Sequence, residues 1–429
     1  MVSEAEKNIL LDDGLKQIPH GCITASSPGR ADFLNTHQDY KLLPVVPVAL
    51  ELRTYVAGGI VDGDDVIVKS LTMKRVDEPG EDRFNLRSFS LRGGGWFGDY
   101  VRGIVSTLKK RGFGGSLRGV YLVIDSDVPI AAGLASSAAL EVAVLKFFDS
   151  LFNLGLSRME LAEMAYEAER NELKIPCGRL DQYGATYGGI MKLSFRPRIS
   201  IEEFSFRNFS IVIADSGIRH STAEIHPVRQ REIDEGLTQL IKNHHAPQTL
   251  RNKLKHLHYE TPWEEISEEE VAPFLPNIDE RSAKRILFTL KMQRSTEVAI
   301  KILRNEPFKV REVEQTVGKR LPENLDRLSA LGEIVDYQHL LLRDLYDLSL
   351  LKLERIRDAM KQAGSLGAKI SGAGIGGAII AVCGTRTQGE KILRAALEAG
   401  AIKGWVSGIG TGAEAKPLNI TKGFRRGIT

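Results

Sequence analysis

The residues best suited to chemistry fall in four short runs. The first is Val128-Pro-Ile-Ala-Ala-Gly-Leu-Ala-Ser-Ser-Ala-Ala-Leu140, where a strand enters a loop of small side chains and an apolar helix leaves it. Small side chains let a ligand approach backbone N–H groups, and a helix N-terminus carries about half a positive charge, so this run suits phosphate. Ser136 and Ser137 add hydroxyls that can donate to phosphate or ligate magnesium. A tight turn built for close packing would read the same way. The run is not a Walker A loop, because the chain has no GxxxxGKS or GxxxxGKT. The second run, Ser371-Gly-Ala-Gly-Ile-Gly-Gly377, formally matches GxGxxG at Gly372, Gly374 and Gly377. A dinucleotide site needs a helix directly after the glycines, whereas Ala-Ile-Ile-Ala-Val-Cys reads as a strand. That pattern leaves either a loop beside an active site or a plain hairpin.

The third run, Ser27 to Tyr40, gathers Arg30, Asp32, His37 and Asp39 in a turn between strands. Such density suits a polyhydroxylated substrate, whose hydroxyls donate to carboxylates; a solvated polar turn would look alike. The fourth, Pro176-Cys-Gly-Arg-Leu-Asp-Gln-Tyr-Gly184, sets Asp181 among glycine turns. His244, His245, His256 and His258 lie in Lys-rich sequence without HExxH and are expected on a solvated helix. The acidic run Glu264 to Glu270 is expected to be a solvated loop.

These runs need elements to hold them. Residues 22–30 and 44–57 carry strand-like stretches around the polar turn from Asn35 to Lys41. GVYLVIDSDVPIAAG is a strand running into the first loop. The helix after it, Ser137 to Phe152, is apolar nearly all round, with Glu141, Lys146 and Asp149 as exceptions, which predicts burial. Residues 157–172 predict an amphipathic helix, GGIMKLSF a strand, and FSIVIADSG the first strand of a second domain beginning near residue 205. A helical region from about 222 to 363 precedes a last α/β piece. Within 429 residues, 42% are hydrophobic and 26% charged, a globular profile with room for two or three cores. The net charge of +3 and the absence of long like-charge blocks give no support for nucleic-acid or membrane partners. The C-terminal stretch ITKGFRRGIT is only mildly basic. No signal-like leader or run of about 18 apolar residues occurs. Cys22, Cys177 and Cys383 are far apart and lack CxxC spacing, so disulfides and zinc are not expected, and the chain reads as cytosolic.

The order and spacing of these runs resemble the galactokinase branch of the GHMP kinases, named for galactose, homoserine, mevalonate and phosphomevalonate. PGRADFLNTHQDYKLLPVVPVAL resembles the signature PGRVNLIGEHTDY with its following VLPxAI; VPIAAGLASSAAL is similar to PxxxGLSSSAA; PCGRLDQ to PCGxMDQ; and SGAGIGGAIIAV to the third glycine motif. Trp96 to Gly103 resembles WANYVKG, and DSGIRH and residues 339–354 have counterparts in order. The resemblance implies an α/β (α+β), two-domain fold. A ribosomal-protein-type domain over 1–205 and a ferredoxin-like domain over 206–429 would flank the active site. It implies ATP and Mg²⁺, and transfer of the γ-phosphoryl group to the anomeric hydroxyl of galactose or a related sugar.

Roles then follow by position. Asp181 would be the catalytic carboxylate, with Arg30 keeping it ionised and offsetting phosphoryl charge. Gly133, Leu134, Ala135, Ser136, Ser137 and Ala138 would cradle ATP, with Trp96 and Tyr100 on the nucleotide side. Ser137 and Glu169 would hold the metal. His37 and Asp39 would bind sugar hydroxyls. The chain departs from the pattern at Thr36 (Glu expected), Asp32 (Asn), His226 (Tyr) and Arg179, all four on the expected sugar side. Arg179 near Asp181 would suit a uronic acid, or its side chain points away from the site; a sugar lacking the 6-hydroxyl would suit Thr36 equally. The alternatives are a same-fold kinase for another small alcohol and a non-catalytic sugar and ATP sensor. The intact Ser136-Ser137-Ala138 and Asp181 argue for catalysis.

Overall fold

The computed structural model describes residues 3–18, 21–219 and 222–418; His220 of DSGIRH and the basic stretch 420–429 lie outside them. Among these residues, twelve strands form two sheets: β1 (Ile23–Leu34), β2 (Val46–Ile60), β3 (Asp65–Ser70), β4 (Glu81–Asn85), β5 (Val120–Ser126), β6 (Ile190–Ser194), β7 (Ser200–Phe204), β8 (Ser210–Asp215), β9 (Gly367–Ser371), β10 (Ala378–Cys383), β11 (Lys403–Ser407) and β12 (Glu414–Pro417). The first sheet runs β12-β1-β2-β5-β3-β4, with β6 and β7 attached at β2. Among the described residues, only β3 and β5 pair in parallel. The second sheet is antiparallel in the order β11-β8-β10-β9, the split βαβ arrangement of a ferredoxin-like half. The architecture is the mixed α/β, two-part fold that the resemblance implies.

β7 is the last strand of the first sheet before β8 opens the second, so the sheets change over between residues 204 and 210. The chain then recrosses: β12 returns to pair with β1, Ile23 facing Pro417. An expected domain running unbroken from 206 to the end is therefore incomplete as a description. The four residues Glu-Ala-Lys-Pro, without apolar alternation or a β-branched side chain, gave no sign of this return.

The helix Ser136–Phe152 packs on β1 and β2 with its apolar surface enclosed. One apolar cluster joins the two halves: Ala31 and Phe33 of β1, Val128 and Leu134 of the first loop, Ile211 of β8, Ile380 of β10, and Ile302 and Ile334 from two intervening helices. The strand–loop–helix that could cradle phosphate is thus anchored in a shared core, and loops from both sheets are held rigidly toward one another. The run 371–377 links antiparallel β9 and β10, Ser371 opposite Ala378, with no helix after the glycines, as its sequence predicts. The helix expected over 157–172 stops at Glu167 and continues as one π turn, Ala168–Glu172. Such turns cluster at functional sites, and this one carries Glu169. The histidine run is not one solvated helix: a turn and the short helix Gln248–Lys253 divide it, and His258 is 5% exposed beside Asp234 and Tyr40. No helix among the described residues is long and apolar enough to cross a membrane.

Arg285 is fully buried and donates to Glu232 Oε2, the Leu345 carbonyl and Asp347 Oδ2, each at 2.6 Å. It ties the helices Thr222–Lys242 and Glu280–Leu303 to the turn after Arg327–Asp344. Arg285→Ala empties a fully buried site, leaves the Leu345 carbonyl without its donor and leaves Glu232 to Arg229 alone at hydrogen-bond distance, so urea unfolding should show a loss of about 2–3 kcal/mol. Arg320→Ala, whose side chain is 96% exposed, should change stability by less than about 0.5 kcal/mol. Equal effects would contradict this account of the core.

Candidate active site

The phosphate-suited loop, the segment carrying Asp181 and the glycine loop 371–377 meet β1 around Arg30, at a break in its register with β2. Arg30 in β1 is the hub: Nε and Nη2 donate to Asp181 Oδ1 at 2.9 and 2.7 Å, and Nη1 donates to the Gly133 carbonyl at 2.9 Å. The Arg30 backbone N–H donates to the Leu134 carbonyl at 3.1 Å, so strand and loop are also joined through the main chain. Both guanidinium bonds to Asp181 fall on Oδ1, and the Asp181 side chain stays 30% exposed against 9% for Arg30. Oδ2 is therefore open to the cleft. Burial alone would lower the Arg30 pKa, but Asp181 and Asp32 beside it push it up.

The phosphate-suited loop holds Ala131, Gly133 and Ala135 at φ of +56°, +76° and +57°. Left-handed alanine costs about 1–2 kcal/mol, and such strain persists where a loop must aim its N–H groups. Ala135 caps the helix Ser136–Phe152 without a side-chain hydrogen bond, leaving the first N–H groups free for an anion. The third glycine loop closes on the same place: a Cβ on Gly133 would lie 3.9 Å from the Ser371 carbonyl. Ser371 Oγ in turn accepts from the Asp32 N–H at 2.9 Å.

Behind Asp181 lies an acidic pocket. Glu169 is 5% exposed and bonds Ser137, Cys177 and Gln182; burial and then Asp181 raise its pKa. Gln182 Nε2 donates to Glu169 Oε2 at 2.5 Å and to Glu141 Oε2 at 3.2 Å. Glu141 is wholly buried and held well above the usual carboxylate range by burial, then by Glu169. Its Oε1 and Gln182 Oε1 have no partner. Tyr100 belongs here too, its phenol pushed up by burial and by Glu169 and Glu141. Trp96 does not join this cluster; its ring takes Arg92 and Phe97 at 4.7 and 4.8 Å. Ser137 and Glu169 are hard oxygen donors, and the unpartnered acceptors beside them suit a cation. No cluster of three or more His, Cys, Asp or Glu able to hold a metal occurs among the described residues, so phosphates would supply the remaining ligands of any ion there.

The sugar-side residues divide. Asp39 lies beside the turn before Asp181, since a Cβ on Gly178 would come within 2.7 Å of its Oδ2. Burial raises the Asp39 pKa against a bond from the Tyr40 N–H, and Asp181 adds to the rise. Asp32 is 6% exposed, with Oδ1 unpartnered, and its pKa is also raised by burial. His226 sits 5.0 Å from the His37 ring and is kept neutral by burial, at about 4. Three expected sugar contacts are engaged elsewhere. Thr36 is 1% exposed and its Oγ1 accepts from Lys369 Nζ at 2.6 Å. Arg179 is gripped by both oxygens of Glu163 and lies 4.1 Å over the Tyr166 ring, its charge satisfied between helices. Both His37 ring nitrogens have protein partners. Sequence reasoning missed Lys369, whose pKa burial lowers to about 8, although a lysine inside the apolar strand GAKIS was a visible signal. Glu141 and Gln182 were missed likewise. An acid in an otherwise apolar helix was the clue.

Comparison with known proteins matches three segments to family models: GHMP kinases N terminal domain over 99–189, GHMP kinases C terminal over 321–402, and the galactokinase galactose-binding signature over 16–60. A galactokinase of Chloroflexus aurantiacus is 29% identical over 413 residues, covering 93% of this chain and 91% of that protein. One from Pyrococcus furiosus is 25% identical over 378 residues, covering 87% and 93%. The crystal structure of Lactococcus lactis galactokinase complexed with galactose superposes with a TM-score of 0.72 at 25% identity, covering 96% of this chain and 98% of that one. A mevalonate kinase structure shares the fold at a TM-score of 0.62 and 16% identity, covering 90% and 98%.

The raised pKa of Glu141 has a consequence for stability. The folded state keeps a proton that the unfolded chain releases above about pH 4.3, so stability falls as pH rises from there toward the folded pKa, by up to about 1.4 kcal/mol per unit. Glu141→Gln removes that penalty while keeping the shape. Its advantage over wild type in urea unfolding should grow as pH rises above about 4.3 and vanish below about pH 4. A gap independent of pH would contradict the assignment.

Proposed function

We propose that this chain, which belongs to the GHMP kinase family, is an ATP-dependent sugar 1-kinase that transfers the γ-phosphoryl group to the anomeric hydroxyl of galactose or a close relative. One observation carries the reading: Arg30 binds Asp181 and the Gly133 carbonyl at once, so the acceptor-side carboxylate and the phosphate loop face a single cleft. The N–H groups of 133–138 and the Ser136 and Ser137 hydroxyls receive the triphosphate. Ser137 and Glu169 would hold Mg²⁺, which supplies charge neutralisation on the phosphates. Asp181 Oδ2 accepts the anomeric O–H and orients it in line with the γ-phosphorus. Arg30, clamped behind, offsets the negative charge that grows on the equatorial oxygens. Asp39 and Asp32 accept ring hydroxyls, and neutral His226 offers one donor and one acceptor. Tyr100 and Trp96 lie on the nucleotide side.

A uronic acid substrate gains nothing from Arg179, whose charge Glu163 already neutralises. Asp32 and Asp39 would repel a sugar carboxylate. A catalytically silent sensor is disfavoured by the intact loop and Asp181. The proposed reaction draws on ATP and fits the cytosol, where ATP is supplied.

ADP release measured with ATP, Mg²⁺ and a panel of galactose, galacturonate, N-acetylgalactosamine, L-arabinose and L-fucose tests the reading, with galactose preferred over galacturonate. Asp181→Asn should lower kcat by about 10²–10⁴. Arg179→Ala should leave the sugar KM within about twofold, since it removes only a partly exposed ion pair. Sugar and ATP binding without ADP release from any panel member would refute the kinase assignment.

A further inference from the structure

We propose that His37 is a positioning residue rather than a sugar ligand, the third member of a one-way hydrogen-bond chain running from Tyr346 through Tyr40 and His37 to the Ala373 carbonyl. Its role in sugar binding rests on the kinase reading above. The polarity of the chain follows from valence alone. A carbonyl oxygen only accepts, so His37 Nε2, 3.1 Å from the Ala373 oxygen, carries the ring hydrogen. Nδ1 of the neutral ring is then bare and can only accept, so the Tyr40 hydroxyl at 3.3 Å must be its donor. That spends Tyr40's one hydrogen. Tyr346, 2.7 Å away, must therefore donate to Tyr40. Each link has one solution, and none leaves a ring nitrogen free for a sugar hydroxyl.

The chain starts from a fixed point. Tyr346 is fully buried, with the Phe288 ring stacked 3.8 Å away, and Lys41 Nζ lies 4.9 Å from its centroid. Lys41 is itself fully buried and donates to Gln38 Oε1 at 3.0 Å. From there the chain crosses from the second half of the protein to the turn 35–41 and back to the glycine loop 371–377. His37 occupies φ +65°, a conformation that a side chain anchored at both nitrogens can hold. Fixing it fixes the adjacent Thr36 and, two residues on, Asp39, and seats Ala373 two residues from Ser371, which holds the Asp32 N–H. The chain thus sets the sugar-side carboxylates relative to the loop that abuts the phosphate cradle.

The test is ¹⁵N NMR of the histidine rings in the full-length protein, with His37 assigned by its loss in His37→Asn. The expected wild-type result is a single Nε2–H tautomer with Nδ1 hydrogen-bonded. In Tyr40→Phe the Nδ1 signal should move toward that of a free imidazole nitrogen. Steady-state kinetics of Tyr40→Phe should show a sugar KM raised about tenfold, the size of one lost hydrogen bond, with kcat changed less than about threefold. A wild-type Nδ1–H ring, or a His37 signal identical in Tyr40→Phe, overturns the proposal. So does a loss confined to kcat, which would put His37 in the chemistry. The NMR result needs no turnover; a protein with the predicted tautomer but no kinase activity refutes the function and leaves the chain standing.

Discussion

The site depends on a single guanidinium. Arg30 has five N–H donors in a rigid plane, and three of them are committed to groups that the sequence places about a hundred or more residues away: two to one oxygen of Asp181 and one to the Gly133 carbonyl. Lysine could offer the charge but not the fork. Because Arg30 is almost enclosed while Asp181 keeps an open face, the pair presents one carboxylate oxygen to the cleft and hides the cation behind it. A buried pair of this kind is weak evidence for stability and better evidence for a fixed geometry, since it holds only while all three groups stay in place.

Everything else in the fold serves that placement. The shared apolar cluster ties β1, the first loop and the second sheet into one body. The turn that carries Asp39 is bolted to the opposite half by buried polar bonds: Asn35 to Gln293, Gln38 to the Thr289 carbonyl, and Lys369 to Thr36. These bonds explain why the replacement of an expected acid by Thr36 need not open a gap in a sugar pocket. Its hydroxyl is absorbed by Lys369, and the departure from the family pattern is internal. In the proposed reading, sugar recognition would then fall to Asp32, whose Oδ1 has no partner, with Asp39 and His226.

Much of this was legible in the sequence. Small residues around 133–137, the density of Arg30, Asp32, His37 and Asp39, and a strand after the glycines of 371–377 each had a physical reading, and their order gave the family. What escaped were facts about direction. Spacing places Arg179 two residues from Asp181, yet it cannot say that the side chain turns to Glu163. A histidine among acids reads as a ligand until its two nitrogens are seen to be spent. The π turn at Glu169 and the return of β12 depend on tertiary packing, which overrides local pattern. Lys369 and Glu141 left the clearest trace, each a charge inside an apolar element, and were passed over because single buried charges are usually structural.

If Arg30 and Asp181 act as one unit, their losses should not multiply. The decisive measurement is a double-mutant cycle on kcat/KM for galactose with Arg30→Met, Asp181→Asn and the double variant. The account predicts that the double variant is within about threefold of the worse single one, because either change alone dismantles the pair. Losses that multiply would show two independent contributions and contradict the claim that this contact organises the site.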